Sequence, residues 1–371
     1  RDRTGSTLAR TRGRTRLAPR AQSLARRCAR AREARGRRSS RPGAMPGAAP
    51  RGKASGSLRP KKRHHAHVFQ QPDAAFVRHL EQEGYAVLRD ALGDASRAAF
   101  LQLFWRAARR VVPKLRLRDR STWRFPTGYR GIMAAYGLAQ SDFAWIPRMA
   151  PKVQKAFAAA FKVPTSELVV SLDAVLLSES LPKKRSAPWL HKDQRHDDSL
   201  GLSVQGIYTA GAVKERDAGT VLVPGSHRQV YAWERRRKND PVGGQHVRVP
   251  EHELAKLEAQ MVKPYMPANS LLLFNSRLVH ANTTGTKRRE EKGPGNLPLP
   301  NRLALAVCYA PRRRRSEETR TRKEEAYLAG KTANHWPCDR FSLKRPRLWD
   351  YTKGGRTLPK PPRVAKRLAL L

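Results

Sequence analysis

Residues 218–228 read Ala218-Gly219-Thr220-Val221-Leu222-Val223-Pro224-Gly225-Ser226-His227-Arg228, a short apolar run closed by a Pro-Gly turn. Apolar and β-branched residues bounded by turn formers predict a strand over Gly219–Val223. The same reading predicts strands at Leu168–Leu177, Leu202–Tyr208, Ser270–Phe274 and Leu303–Tyr309, with turn signals at Pro241 to Gly244 and Pro267-Ala268-Asn269 between them. Upstream, Asp73 caps a helix carrying Phe76, Val77 and Leu80, Gly84 stops it, and Tyr85-Ala86-Val87-Leu88 reads as a short strand. A second helix runs from Asp94 to Pro113 with Phe100, Leu103, Phe104, Ala107 and Val111 on one stripe. A third covers Lys152–Phe161, where Val153, Phe157 and Phe161 stand at i, i+4 and i+8. Helices first and short strands afterwards predict an α+β fold with a mainly β core. A helical layer then packs on a β-barrel or a double-sheet jelly roll.

The chain has 371 residues and a formal net charge of +46, which by itself suggests a nucleic-acid binder. The charge is unevenly placed. Residues 1–63 hold 21 basic and 2 acidic side chains, residues 311–371 hold 18 and 6, and the stretch between holds 37 and 22. The Arg-, Ala-, Gly- and Ser-rich residues 1–70 lack the apolar content to offset ordering, and are expected to be a disordered basic segment. Three readings of it stay open: no specific function, a transit-peptide-like leader, or an arm that binds nucleic acid. The first methionine is Met45, consistent with a fragment or an overextended gene model. His64, His65 and His67 lack cysteine or carboxylate partners and read as a solvated tract. At the other end, Arg312–Arg315 and the alternating charges through Glu325 read as a solvated face, with Trp336, Phe341, Leu348 and Trp349 placed to pack back. Residues 341–371 are expected to be a basic C-terminal tail, loose over its last dozen residues. No apolar run approaches the roughly 18 residues needed to span a bilayer. Cys28, Cys308 and Cys338 are too few and too scattered for a disulfide framework, pointing to an intracellular protein, cytoplasmic or organellar. No G-x-G-x-x-G or Walker pattern opens a helix, which removes dinucleotide and P-loop readings.

The chemistry-bearing stretch is Trp189-Leu190-His191-Lys192-Asp193-Gln194. On extended backbone, residues two apart project to one side, so His191 and Asp193 can reach one metal ion. An imidazole nitrogen and a carboxylate oxygen make two thirds of the ligand set that holds non-haem Fe(II) with open positions. His280, which follows the strand Ser270–Phe274, is the candidate third ligand. Arg302, opening the strand Leu303–Tyr309, offers a guanidinium for a two-pronged grip on a carboxylate. His-x-Asp, a distant His and then an Arg is the order that a 2-oxoglutarate-dependent iron oxygenase needs.

From about Phe76 to Trp336 the chain resembles the phytanoyl-CoA dioxygenase-like family. The resemblance rests on Gly84–Leu88, on His191-Lys192-Asp193-Gln194, on Ala218–Arg228 with its Pro-Gly-Ser-His turn, and on the Asn275-Ser276-Arg277…His280 and Asn301-Arg302 patches. It implies a double-stranded β-helix in residues 71–340 and Fe(II), 2-oxoglutarate and O2 as the reacting set. His191, Asp193 and His280 would be the metal ligands and catalytic centre. Arg302 would take the distal carboxylate of 2-oxoglutarate, with Asn282 beside it. The family often places its arginine closer to the distal histidine; here the charged loop Thr286–Pro300 intervenes, and Arg277, Arg288 and Arg289 compete for the role. Halogenases of this superfamily carry a small residue where Asp193 stands, so the resemblance implies hydroxylation of a small organic or lipid-like substrate, with release of succinate and CO2.

His227 reads as a structural turn residue, and His79, His246 and His252 have no partners at ligand spacing. Arg195-His196-Asp197-Asp198 resembles the His-Asp pair of metal-dependent phosphohydrolases, but sits in strand and loop rather than on a helix. Tyr129, Tyr136 and Trp145 read as packing residues or as the walls of a substrate entrance. The competing function is a catalytically inactive oxygenase fold that binds nucleic acid or anionic surfaces through its basic ends. The sequence leaves the oligomeric state open.

Overall fold

The computed structural model describes residues 67–125, 131–179, 181, 189–197, 199–235, 246–346 and 354–371. The expected disorder of the N-terminal segment therefore falls outside the described residues, apart from its last four. After a two-residue strand β1 (Val68–Phe69), the Asp73 carboxylate accepts from the Ala75 and Phe76 amides at 2.9 and 3.0 Å and starts α1 (Ala74–Glu83). Gly84, at φ 81°, ends the helix and turns the chain into β2 (Tyr85–Leu88). The second predicted helix is α2 (Asp94–Val111), with Gly93 rather than Asp94 in the cap position. Next come β3 (Ile132–Met133), α3 (Asp142–Met149) and α4 (Pro151–Phe161). The sequence reading passed over α3, because Pro147 lies inside it.

The valine- and leucine-rich stretch expected as one strand is two: β4 (Leu168–Val170) and β5 (Val175–Ser178). Asp173 sits in the break. Its buried carboxylate accepts from the next amide, Ala174, at 2.6 Å and pairs with Lys344 at 2.7 Å, drawing the backbone out of the ladder. Then follow β6 (His191–Lys192), β7 (Val204–Thr209), β8 (Gly219–Leu222), a single turn α5 (Ala232–Arg235), β9 (Val247–Arg248) and α6 (Glu251–Glu258). The last strands are β10 (Ser270–Asn275), β11 (His280–Thr283), β12 (Arg302–Ala306) and β13 (Tyr309–Pro311). The predicted run Leu303–Tyr309 thus also splits, and its halves pair separately, β12 with β5 and β13 with β4.

A nine-stranded sheet runs β1-β2-β10-β7-β12-β5-β3, with β13 joined to β7 and β4. A four-stranded sheet runs β8-β11-β6-β9. Alternation along each strand gives the sheets distinct faces. Leu271, Leu273, Tyr208, Leu303 and Leu305 pack with Phe76, Phe100, Phe104 and Phe157 of the helical layer. From the opposite face of the large sheet, Val87, Leu176, Ile207, Leu272 and Ala304 meet Leu222 of the small one. The outer face of the small sheet, including Val221, Val247, Val279 and Ala281, is covered by Leu257 and Met261. The result is a mixed α/β protein with a sheet-rich core. Among the described residues no helix is long and apolar enough to cross a membrane.

The C-terminal stretch corrects the expectation of a loose tail. After α7 (Glu317–Leu328), residues 354–371 return along the helical layer and end in α8 (Ala365–Leu368). Leu358 donates its amide to Tyr136, Val170 donates to Leu370, and Leu371 is fully buried in the main core. Leu358, Leu368, Leu370 and Leu371 are the reason: four leucines among the lysines and arginines give the segment enough apolar surface to dock. Leu348 and Trp349 lie outside the described residues, while Trp336 and Phe341 are buried.

A Cβ placed on Gly84 would clash with His227 Nδ1 and meet Leu278 Cδ1 at 2.6 Å, on backbone that already favours glycine. Replacing Gly84 with alanine is therefore expected to cost about 2–4 kcal/mol, combining overpacking and left-handed strain. Urea unfolding should show it as a lower midpoint at constant slope; an unchanged midpoint would refute the packing account.

Candidate metal centre

His280 of β11 lies directly across the antiparallel pair from His191 of β6. Because side chains alternate, His191 and Asp193 face the space between the sheets while Leu190 and Lys192 face outward. The Asp193 carboxylate lies 3.5 Å from His191 Nε2 through one oxygen and 3.4 Å from His280 Nε2 through the other. Each imidazole is anchored in the same way, its Nδ1 3.0 Å from the carbonyl two residues earlier, Trp189 for His191 and Leu278 for His280. With Nδ1–H donating to a carbonyl, the Nε2 lone pairs turn inward. Asp193 is held too. Its amide donates to the Ser276 carbonyl at 2.9 Å, and the Gln205 side-chain amide of β7 donates to its Oδ2 at 2.8 Å. Ser276 and Ser203 extend this network through a hydroxyl–hydroxyl bond of 2.9 Å.

Both histidines are 4 % exposed. Burial first, and the neighbouring His280 second, push the His191 pKa down to about 3 against the pull of Asp193. Burial opposes ionisation of Asp193, but the imidazoles of His191, His280 and His335 outweigh it and hold the carboxyl well below its usual range. A neutral imidazole beside a carboxylate is the protonation state that metal binding requires.

Lys192 points away from this centre and is fully buried. Its Nζ donates to Glu234 Oε1 at 2.6 Å and to the Gln229 carbonyl at 2.9 Å, and stands 4.6 Å from the Tyr231 ring centroid. Burial lowers its pKa, and the Glu234 hydrogen bond and charge oppose that shift. The ion pair ties β6 to α5 and the turn before it.

Arg302 is buried, and burial lowers its pKa to about 10. Its guanidinium donates to Asn282 Oδ1 at 2.9 Å, an oxygen that also accepts from Thr220 Oγ1 at 3.2 Å. Among the described residues Arg302 has no carboxylate partner. Its competitors differ: Arg289 pairs with Glu291 at 2.6 Å and with Asp217 at 3.8 Å, and Arg288 is exposed. The Arg277 amide is bound to Asn275 Oδ1. His227 places Nε2 2.9 Å from the Glu81 carbonyl, joining the Pro-Gly turn to α1. Tyr136 and Trp145 are core residues, and Tyr129 and Asp198 lie outside the described residues.

His246 departs from the sequence reading, which gave it no partner at ligand spacing. The ligating atoms of His191, Asp193 and His246 all lie within 4.8 Å of one another. Pairing of β9 with β6 brings it there across more than fifty residues of chain, a contact that no local spacing encodes. Gln205, brought in by the sheet of β7, and His335, which acts on Asp193 electrostatically from a distant part of the chain, were not found by local spacing either.

The family model for phytanoyl-CoA dioxygenase matches residues 80–289. The chain belongs to that family. Its chemistry is that of iron- and 2-oxoglutarate-dependent oxygenases, and the matched range contains His191, Asp193, His280 and Asn282 but ends before Arg302. Among solved structures the chain is similar to the epimerase SnoN in complex with Fe3+, alpha ketoglutarate and nogalamycin RO, at 16 % identity over 64 % of this chain and 82 % of that one, TM-score 0.42. EctD from S. alaskensis with bound Fe matches at 14 % identity over 70 % and 85 %, TM-score 0.43. EvdO2 from Micromonospora carbonacea var. aurantiaca complexed with 2-oxoglutarate matches at 14 % over 64 % and 91 %, TM-score 0.39. A search of curated proteins finds no match.

Replacing Lys192 with methionine leaves Glu234 buried without a cation, and is expected to cost about 3–5 kcal/mol. The double variant Lys192→Met/Glu234→Leu should recover most of that loss in a urea titration. A double variant as unstable as the single one would show that the pair contributes through more than charge compensation.

Proposed function

We propose that the protein is an Fe(II)- and 2-oxoglutarate-dependent dioxygenase in which His191, Asp193 and His280 hold the metal. Arg302, steadied by Asn282, receives the distal carboxylate of 2-oxoglutarate. The observation that carries the reading is the approach of two backbone-anchored imidazoles to one carboxylate across the β6–β11 pair. Two nitrogens and a carboxylate oxygen suit Fe(II) and leave coordination positions free. The second observation is Arg302, a buried guanidinium without a counter-ion among the described residues, whose environment suits a bidentate carboxylate.

The bound iron and 2-oxoglutarate would supply the oxidising power, consuming O2, releasing succinate and CO2 and delivering one oxygen atom to the substrate. The chain's residues bind, orient and exclude water. Gln205 donates to Asp193 Oδ2, which fixes the carboxylate's plane. Asn282 holds the Arg302 fork from one side and leaves its remaining donors for the cosubstrate. Leu176, Ile207, Leu222 and Ala304 wall the space between the sheets and keep it dry. We read the two facing sheets as a double-stranded β-helix and residues 71–340 as the catalytic domain, with the docked C-terminal stretch as its brace. The carboxylate at position 193 favours hydroxylation, and a small organic or lipid-like molecule is the substrate class we assign.

Anaerobic addition of 2-oxoglutarate to the Fe(II)-loaded protein should give a visible charge-transfer absorption, and in air it should yield succinate. His191→Ala, Asp193→Ala and His280→Ala should each abolish both signals. If the Fe(II)-loaded wild type fails to bind 2-oxoglutarate, the proposal is wrong. Arg302→Gln is expected to raise the 2-oxoglutarate concentration for half-saturation roughly ten- to hundredfold, the worth of hydrogen bonds to a charged group. Gln205→Leu should weaken iron binding about 10–100-fold, as loss of a hydrogen-bonding support behind a ligand does elsewhere. Equilibrium dialysis against Fe(II) measures the second effect, and an unchanged affinity would remove Gln205 from the site.

A further inference from the structure

The Nε2 atom of His246 is buried and has no hydrogen-bond partner among the described residues. Leaving a buried polar group unpaired costs about 1–3 kcal/mol, so an atom in that state calls for a partner. The ring is stacked on His191, with centroids 4.7 Å apart and planes 30° apart, and on Trp189 at 5.2 Å and 28°. It therefore lies against the metal centre. Its position is set by the ladder, because His246 directly precedes β9, where Val247 pairs with Lys192 and Arg248 with His191. The ligating atoms of His191, Asp193 and His246 lie within 4.8 Å of one another. Two donors each about 2.1 Å from one ion stand at most about 4.2 Å apart, so a small rotation of the imidazole closes the remaining gap.

We propose that His246 is a fourth protein ligand of the metal in the protein free of 2-oxoglutarate. The inference rests on His191, Asp193 and His280 holding that metal. Four protein donors leave a six-coordinate ion two positions, one fewer than a chelating 2-oxoglutarate and O2 require together. One ligand has to leave, and the anchoring identifies which. His191 and His280 are each fixed through Nδ1 to the carbonyl of another residue, whereas His246 has no such anchor among the described residues and sits beside the edge strand β9 of the small sheet. His246 thus satisfies its buried nitrogen by holding the metal until the cosubstrate arrives.

Copper(II), which binds nitrogen donors tightly, makes the ligand count readable by electron paramagnetic resonance without turnover. One equivalent is added to the full chain, and the His191→Ala/His280→Ala variant serves as the blank for copper held elsewhere. The wild type is expected to show three coordinated imidazole nitrogens, falling to two when 2-oxoglutarate is added. His246→Phe, which keeps a ring in the stack, should show two from the start and bind copper at least about tenfold more weakly. Two nitrogens in the wild type overturn the proposal while leaving the three-residue site intact, and that result needs no variant to fold. A count of three that persists with 2-oxoglutarate overturns the displacement. A wild type that binds no more copper than the blank overturns the underlying metal site as well.

Discussion

The antiparallel pairing of β6 with β11 is the constraint on which the site depends. It sets His191 opposite His280 and puts Asp193 two residues along the same face, so that both imidazoles approach the one carboxylate. β6 itself is two residues long, too short to be held by its own ladder. Much of its hold comes from side chains: Lys192 on Glu234, Asp193 on Gln205, and the amides of Asp193 and Gln194 on the Ser276 carbonyl. The geometry of the candidate metal centre is thus maintained by buried and part-buried polar contacts behind it, which makes it sensitive to their loss.

Charge in this interior is arranged in two contrasting ways. Lys192 and Arg289 are buried with carboxylates beside them, so their desolvation is offset within the protein. Among the described residues Arg302 is buried with one amide oxygen and no anion, an arrangement that is costly unless a negative charge compensates it. Arg289 is committed to Glu291 and Asp217, which leaves it unavailable for a ligand. Of the competing arginines, Arg289 thus already has carboxylate partners and Arg288 is exposed, whereas Arg302 is buried.

The net charge of +46 describes the chain's ends more than its interior. The C-terminal end is nonetheless part of the folded body: its leucines enter the main core while its basic groups stay at the surface or pair, as Arg367 does with Asp142. Long basic side chains can cover apolar surface while their charged heads reach water, so a high charge count and a docked segment are compatible.

The sequence alone determined the helix that Asp73 starts and Gly84 stops, the positions of most strands, and the His191–Asp193 pair. Each of these is encoded locally, by a cap, a glycine or a two-residue period. His280 and Arg302 were legible as candidates because one follows a recognisable strand and the other opens one, although their convergence was not. Tertiary structure decided the rest. The breaks in the runs 168–177 and 303–309 depend on which strand lies alongside, and on an ion pair between Asp173 and Lys344, far apart in sequence. The docking of the C-terminal stretch depends on a groove that exists only once the helices have packed. Gln205 and His246 reach the site from segments with no motif of their own, because proximity across strands is a property of the ladder register. Local chemistry named the donors, and non-local pairing decided which of them meet.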